Sequence, residues 1–258
     1  MGTALVTGAS AGLGRAFAVE LAERGHDLVL VARDAQRLAA LAEEVESRYG
    51  VHAEALPADL ADRGQLQRVA ERVADPDRPV DLVVNNAGFG LRQRFSTGEV
   101  AAEEQALDVM ARAVLVLTHA AVGPMRERGH GAVLNVSSVA GFAVMGTYSA
   151  LKAWVTVFSE AVAAELAGTG VQVTALCPGF VRTEFHERAS MNMSKVPAAL
   201  WLEADRVVRD ALDDVAAGTV VSVPSVHYAA LSAALRVLPR SQVRRVSGAL
   251  ARRRRRRG

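Results

Sequence analysis

Cysteine is all but absent. Cys177 is the single one among 258 residues, which excludes a disulfide within the chain and makes a reducing compartment the default. Lysine is nearly as scarce: Lys152 and Lys195 are the two among 30 basic residues, the rest being arginine. Acidic residues stop at Asp214. Residues 1–214 hold 20 basic and 28 acidic groups, net −8, whereas the last 44 residues hold ten arginines and no acid, net +10. The overall charge of +2 and the sequence pI of 9.0 therefore describe no actual region of the molecule, and do not by themselves imply a nucleic-acid binder. No uninterrupted apolar run approaches the ~18 residues of a membrane span. The opening MGTALVTGAS lacks the basic and apolar regions of a signal peptide, and Val6 stands where a myristoylation pattern needs Ser or Thr. A soluble, cytoplasmic protein is expected. There is no internal repeat and no Pro/Ser-rich linker; the run Arg252 to Arg257 is the only low-complexity segment.

Half of the residues are hydrophobic, enough for a substantial core and too many for a disordered chain. Short apolar runs (Ala4 to Val6, Leu28 to Val31, Val80 to Val84, Ala132 to Val136, Val171 to Leu176) alternate with longer segments of helical period. A helix is expected from about Gly12 to Arg24, and a second one carries Leu38, Leu41 and Val45. The short runs do not alternate apolar with polar residues, so they read as strands buried on both faces. Strand–helix alternation of this kind predicts one α/β domain, a doubly wound parallel sheet with helices on both faces. Gly25, Gly50 and Gly170 each follow a helical segment just before a strand, as C-caps do.

Between the first strand and the first helix lies Thr7-Gly8-Ala9-Ser10-Ala11-Gly12-Leu13-Gly14. A dinucleotide pyrophosphate needs a tight turn there, backbone with no side chain in the way, and free N–H groups at a helix start. The spacing is Gly-x-x-x-Gly-x-Gly rather than Gly-x-Gly-x-x-Gly. Gly8, Ser10, Ala11, Gly12, Leu13 and Gly14 are the candidate phosphate contacts. The second strand ends Val31-Ala32-Arg33-Asp34. An acidic side chain at this point suits the ribose 2′-hydroxyl of NAD, and an arginine suits a 2′-phosphate. With Arg33 first and Arg15 near the loop's exit, the reading is NADP(H). The alternative, NAD(H), leaves Arg33 as a solvated charge and gives the ribose to Asp34.

Further segments follow the later strands: Asn85-Asn86-Ala87-Gly88, Ser137-Ser138, Tyr148-Ser149-Ala150-Leu151-Lys152 and Pro178-Gly179-Phe180-Val181-Arg182-Thr183. Together with the glycine loop, and in this order, they resemble the short-chain dehydrogenase/reductase superfamily over roughly residues 3–223. The resemblance implies an oxidoreductase interconverting a ketone or aldehyde and an alcohol, with transfer of the pro-S hydride of NADPH and no metal. It makes Tyr148 the proton donor and acceptor. It gives Lys152 two tasks, lowering the pKa of Tyr148 and holding the nicotinamide ribose, and has Ser138 orient the substrate oxygen, with Ser137 a second candidate for that role. The chemistry agrees: a free tyrosine, pKa about 10, is a poor acid–base near neutrality, and a lysine one helical turn away favours its anion. A chain that uses arginine almost everywhere keeps lysine at 152, where a compact ammonium is needed. The resemblance also implies cofactor contacts at Asp59 and Leu60 (adenine), at Asn86, Ala87 and Gly88 (under the adenosine ribose), and at Pro178, Gly179, Phe180 and Thr183 (nicotinamide amide and phosphates).

Two departures from the family pattern stand out. The family has an asparagine on the long helix before the fifth strand, where it holds a relay water; here Met110 falls at that position and cannot take the role. The spacing from Ser138 to Tyr148 is ten residues, against about thirteen implied by the family, so the loop Gly141 to Thr147 is short. The resemblance places a substrate lid at about 184–204, holding Phe185, Met191, Met193, Val196, Leu200, Trp201 and Leu202, with Met145 opposite and Arg92 and Arg94 near the rim. Adaptable methionines suit a lipophilic substrate: a steroid, an acyl chain or an aromatic ketone. The alternative is that these residues are core or oligomer contacts. Residues 224–258 read as a separate amphipathic, basic extension, with Tyr228, Leu231, Ala234, Leu235, Leu238, Val243, Val246 and Leu250 at helical spacing around Pro239. It either packs on the protein or meets an anionic membrane surface; nucleic acid is disfavoured, since no aromatics interleave the arginines. A homo-oligomer is implied by the family, through the helices from about Ala101 and from Tyr148. Two rivals to the enzyme are a cofactor-binding sensor or scaffold with little catalysis, and a tail-driven membrane binder.

Overall fold

A computed structural model describes residues 2–91, 93–184 and 197–245. Arg92, the lid residues Phe185, Met191, Met193 and Val196, and the tail from Val246 on, including Leu250 and the arginine run, lie outside the described residues.

Seven strands form one parallel sheet in the order β3-β2-β1-β4-β5-β6-β9. They are β1 (Thr3–Thr7), β2 (Asp27–Ala32), β3 (Ala53–Pro57), β4 (Leu82–Asn85), β5 (Gly131–Val136), β6 (Val171–Leu176) and β9 (Val221–Ser222). Between them run α1 (Gly12–Glu23), α2 (Ala35–Tyr49), α3 (Arg63–Ala74), α4 (Val100–Leu107), α5 (Ala113–Arg128), α6 (Thr147–Glu165) and α7 (Ala204–Ala216), and α8 (Val226–Val237) follows β9. A small parallel pair, β7 (Phe180–Arg182) and β8 (Trp201–Glu203), stands apart from the main sheet. This is the doubly wound α/β fold that the alternation of elements predicts.

Side chains alternate across each strand, so neighbouring residues enter different cores. Ala4, Val6, Leu28 and Leu30 pack with Phe17, Leu38 and Leu212 on one face. Leu5, Val29, Val31 and Val83 pack with Leu66, Leu117 and Met125 on the other. Both faces are covered, which is why these strands are apolar throughout. Gly25, Gly50 and Gly170 all take positive φ (80°, 70° and 81°), and Gly50 caps α2 in the left-handed conformation.

Among the described residues, Val100–Arg128 is the helical segment long and apolar enough to cross a membrane by length and composition, although no uninterrupted apolar run in it reaches that length. Scattered charges hide this from a search for uninterrupted runs. Half of its most apolar window is buried within the protein, with Leu117, Ala121 and Met125 packed against the sheet, so it serves as a core helix. A π-helical turn, Asp108–Arg112, interrupts it between α4 and α5.

The topological switch falls between β1, whose chain moves outward to β2, and β4, whose chain moves the other way. In such sheets the crevice at the carboxyl ends of the strands, at the switch point, is where ligands bind.

Candidate active site

The glycine loop lies at that switch point. The Thr7 hydroxyl accepts from the N–H groups of Asn86 (2.9 Å) and Ala87 (3.1 Å), and Asn86 Nδ2 donates to Thr7 O at 2.8 Å. Asn86 and Ala87, from the segment after β4, thus prop up the loop after β1. A Cβ at Gly14 would overlap the carbonyl oxygen of Gly8 and crowd Asn86 Nδ2. Helix and loop therefore approach more closely than any side chain permits. No side chain caps the start of α1 and no acid lies in its first turn, so its N-terminal N–H groups face outward with their partial positive charge. This cradle, filled by any Cβ and open at a helix start, fits a pyrophosphate. Thr183 closes it from the far side, 3.4 Å from where a Gly12 Cβ would stand.

At the end of β2, Asp34 caps α2, accepting from Arg37 N at 3.0 Å, and its other oxygen lies 3.6 Å from Arg37 Nε. Arg33 is exposed and has no salt-bridge partner among the described residues. Arg15 is turned away from the loop, its Nη2 held by both oxygens of Glu44 at 2.7 and 2.6 Å. Arg37, which also approaches Glu184 at 3.5 Å, is the basic residue near the β2 end that sequence reasoning passed over. Asp59 Oδ1 accepts from Ala61 N at 3.0 Å, and Leu60 is buried in the core beside it.

The catalytic candidates converge at the ends of β5 and β6. Ser137 is buried, its hydroxyl donating to Lys152 O at 2.6 Å and lying 2.7 Å from Thr156 Oγ1. Ser138, the next residue, points the other way: its Oγ accepts from Ala140 N at 3.1 Å and hydrogen-bonds the Tyr148 phenol. Of the two, Ser138 is the serine whose hydroxyl meets Tyr148, whereas the Ser137 hydroxyl is occupied within the core. Lys152 lies one turn along α6, buried, its ammonium 5.8 Å from the Tyr148 ring centre and donating to Val136 O at 2.7 Å. Burial lowers the Lys152 pKa to about 8, with the Cys177 thiol pulling the other way.

Tyr148 departs from expectation. Burial pushes its phenol up to about 12, the Ser138 hydrogen bond opposing. The desolvated pocket disfavours the phenolate, and the Lys152 ammonium is engaged by Val136 O rather than by the phenol. Met110 is fully buried, packing with Ala106 and Leu151 against Tyr148, and its sulfur stands 3.3 Å from where a Gly88 Cβ would be. A thioether thus fills the space behind Tyr148.

Below the site, Gly179 lies against the Tyr228 ring so closely that a Cβ there would overlap the ring atoms. Tyr228 Oη accepts from Phe180 N (3.3 Å) and donates to Leu200 O (2.8 Å). One side chain from α8 therefore ties together both ends of the segment 180–200, and positions the Pro178–Thr183 stretch expected to meet the cofactor. It lies outside every motif, and its only sequence signal was a place on the apolar stripe of the C-terminal extension. Tyr228→Phe removes both part-buried hydrogen bonds, to Phe180 N and Leu200 O, so a stability loss of about 1–2 kcal/mol is expected. A urea midpoint equal to wild type would remove that role.

A family profile described as short chain dehydrogenase matches residues 2–194. The chain belongs to the short-chain dehydrogenase family. It is 37% identical over 186 residues to sulfoacetaldehyde reductase 2 of Chromohalobacter salexigens, covering 70% of this chain and 73% of that one. A solved short-chain dehydrogenase from Sphingobium yanoikuyae in complex with NADPH superposes with TM-score 0.85 at 36% identity, covering 92% of each chain. The bulky-bulky ketone specific alcohol dehydrogenase of Comamonas testosteroni superposes with TM-score 0.79 at 30% identity, over 88% of this chain and 87% of that one. As a short-chain dehydrogenase, the protein is a member of an oxidoreductase family acting on small molecules.

Proposed function

We propose that this short-chain dehydrogenase uses NADP(H) to interconvert a lipophilic ketone or aldehyde and its alcohol. The observation that carries the reading is the meeting of Ser138, Tyr148 and Lys152 beside the glycine cradle. The bound nicotinamide supplies or accepts the hydride. Tyr148, protonated at neutral pH, donates to the substrate oxygen. Ser138 holds that oxygen in line with the phenol. Lys152, charged below about pH 8, stabilises the negative charge that develops on Tyr148 as its proton leaves.

The preference for NADP(H) is supported by how the charges at the end of β2 are used. Asp34 is committed to capping α2 and is paired with Arg37, so it neither awaits a ribose nor repels a phosphate. Arg33 is left exposed beside it. The NADPH of the Sphingobium yanoikuyae relative is consistent with this. Arg33→Glu is expected to lower kcat/KM with NADPH by about 10–100-fold, the worth of one charge-assisted contact, and to leave NADH use within a few-fold. Steady-state kinetics with both cofactors check it; a wild type that prefers NADH overturns the assignment.

A lipophilic substrate is supported by exposed Val144 and Met145 in the loop leading to Tyr148 and by the bulky ketones of the Comamonas testosteroni relative. A panel of lipophilic ketones with NADPH tests the reading, and no turnover across it would sink it. The rival, a cofactor-binding protein without catalysis, draws support from Met110 alone. A homo-oligomer is part of the proposal, through the outer faces of α4, α5 and α6, where Leu107, Leu115, Trp154 and Val157 are exposed. So is residence in the cytoplasm, consistent with a free buried thiol at Cys177.

A further inference from the structure

Helix α8 turns an apolar face outward. A helix packed on a protein body normally buries its apolar stripe and presents polar groups to water. Helix α8 buries Tyr228 and Ser232, yet leaves Val226, Leu231 and Val237, and Leu238 just past its end, exposed at 84%, 47%, 86% and 40%. From Val226 to Leu235 it carries no acid, lysine or arginine. Directly beyond it the charge is all of one sign: Arg240, Arg244 and Arg245 are exposed on the helical stretch 240–245, and six more arginines end the sequence. The last turn of α8 also sits against the loop Gly141 to Thr147 that leads to Tyr148, the substrate loop of the proposed function. The Arg236 guanidinium lies 4.7 Å from the centre of the Phe142 ring and 3.9 Å from Glu160. Val144 and Met145, two and three residues past Phe142, are 42% and 50% exposed.

We propose that this face docks the protein on an anionic lipid bilayer. The exposed valines and leucines of this face enter the boundary between headgroups and acyl chains, and Arg240, Arg244 and Arg245 beyond it meet anionic headgroups. Residues 1–214, net −8, are repelled by the same surface, so the molecule lands in one orientation, α8 downward. Charge argues against the other occupants. A second copy, joined across a two-fold axis, would bring two all-basic segments together. A nucleic acid would take the arginines but has no use for the exposed valines and leucines, and no exposed aromatic side chain of α8 offers a stacking platform. Docking in this way brings the substrate loop to the lipid, where a lipophilic carbonyl is dissolved. This last step rests on the proposed function, whereas docking itself does not.

Co-sedimentation of the full chain with phosphatidylcholine vesicles, with and without phosphatidylserine and at low and high salt, tests the proposal. Binding is expected to rise about ten-fold or more with phosphatidylserine and to fall with salt. The double variant Leu231→Glu, Val237→Glu should lose about ten-fold in vesicle binding while keeping its circular dichroism spectrum and its rate on a water-soluble carbonyl. Three results would overturn the docking face. One is vesicle binding unchanged in the double variant but abolished when Arg252 to Arg257 are changed to glutamine, which makes the attraction a property of the arginine run alone. The second is tighter binding to DNA or RNA than to the vesicles. The third is an oligomer that the double variant disperses, without vesicle binding by either protein. A wild type that binds vesicles but reduces no carbonyl would refute the proposed function and leave the docking surface standing.

Discussion

Tyr148→Phe is expected to slow carbonyl reduction by roughly 10²–10⁴-fold, the usual worth of a positioned general acid. NADPH binding should stay within about two-fold, since the ring and its packing against Leu151 and Met110 are kept. The pKa explains why the phenol suits reduction. Burial holds it near 12, so it carries its proton throughout the neutral range, and its readiness to donate should not vary between about pH 6 and 7.5, the interval in which Lys152 also keeps its charge. The reverse reaction needs the phenolate. Alcohol oxidation should therefore climb with pH over the same interval, by about ten-fold per unit until another step limits it. Two measurements decide the matter: the initial rate of NADPH consumption, and quenching of Trp154 and Trp201 fluorescence by NADPH. Equal rates in wild type and variant would remove Tyr148 from the reaction. Loss of binding together with rate would make its role structural.

The parts of the fold that could be read from sequence are those where burial on both faces leaves an apolar run. Strands β1, β2, β5 and β6 appear as such runs, and β4 falls within one residue of its predicted end. Strand β3 does not, because it lies at the sheet edge, where Glu54 can reach out to Arg72 at 2.8 Å; β9, with two residues, is too short for any pattern. At the site, the Tyr148–Lys152 pair was legible because helical spacing alone puts the two on one face. The preference for Ser138 over Ser137 rested on the resemblance and not on spacing: adjacent residues in an extended segment point opposite ways, and which one faces Thr156 depends on where α6 packs. Tyr228 was invisible for a similar reason. Its partners Phe180 and Leu200 are 48 and 28 residues away in sequence, and only the fold brings them together. It also joins the C-terminal extension, read from sequence as a separate segment, to the base of the site.

Lys152→Met should change how stability depends on pH, as well as reduce activity. The lysine is buried, and its pKa is lowered from 10.5 to about 8. Unfolded, it would hold its proton to about 10.4. Below pH 8 both states are protonated, and the folded protein bears the full cost of a buried ammonium, on the order of 3 kcal/mol. Between about 8 and 10.4 the unfolded chain binds a proton that the folded one has released, so this group makes wild type more stable as pH rises. Methionine carries no charge and removes that dependence, but it also leaves Val136 O without the 2.7 Å donor that Lys152 provides, at about 1–3 kcal/mol. At pH 7 these effects nearly cancel or favour the variant. At pH 10 the charge term has gone from wild type and the missing hydrogen bond remains, so wild type should be the more stable. The stability difference, variant minus wild type, should thus fall by about 3 kcal/mol between pH 7 and 10, a change to which groups titrating alike in both proteins contribute nothing. Urea denaturation of both at the two pH values measures it. A difference that stays constant would mean that the Lys152 ammonium is not desolvated in the folded protein, and the electrostatic role proposed for it beside Tyr148 would fall with that.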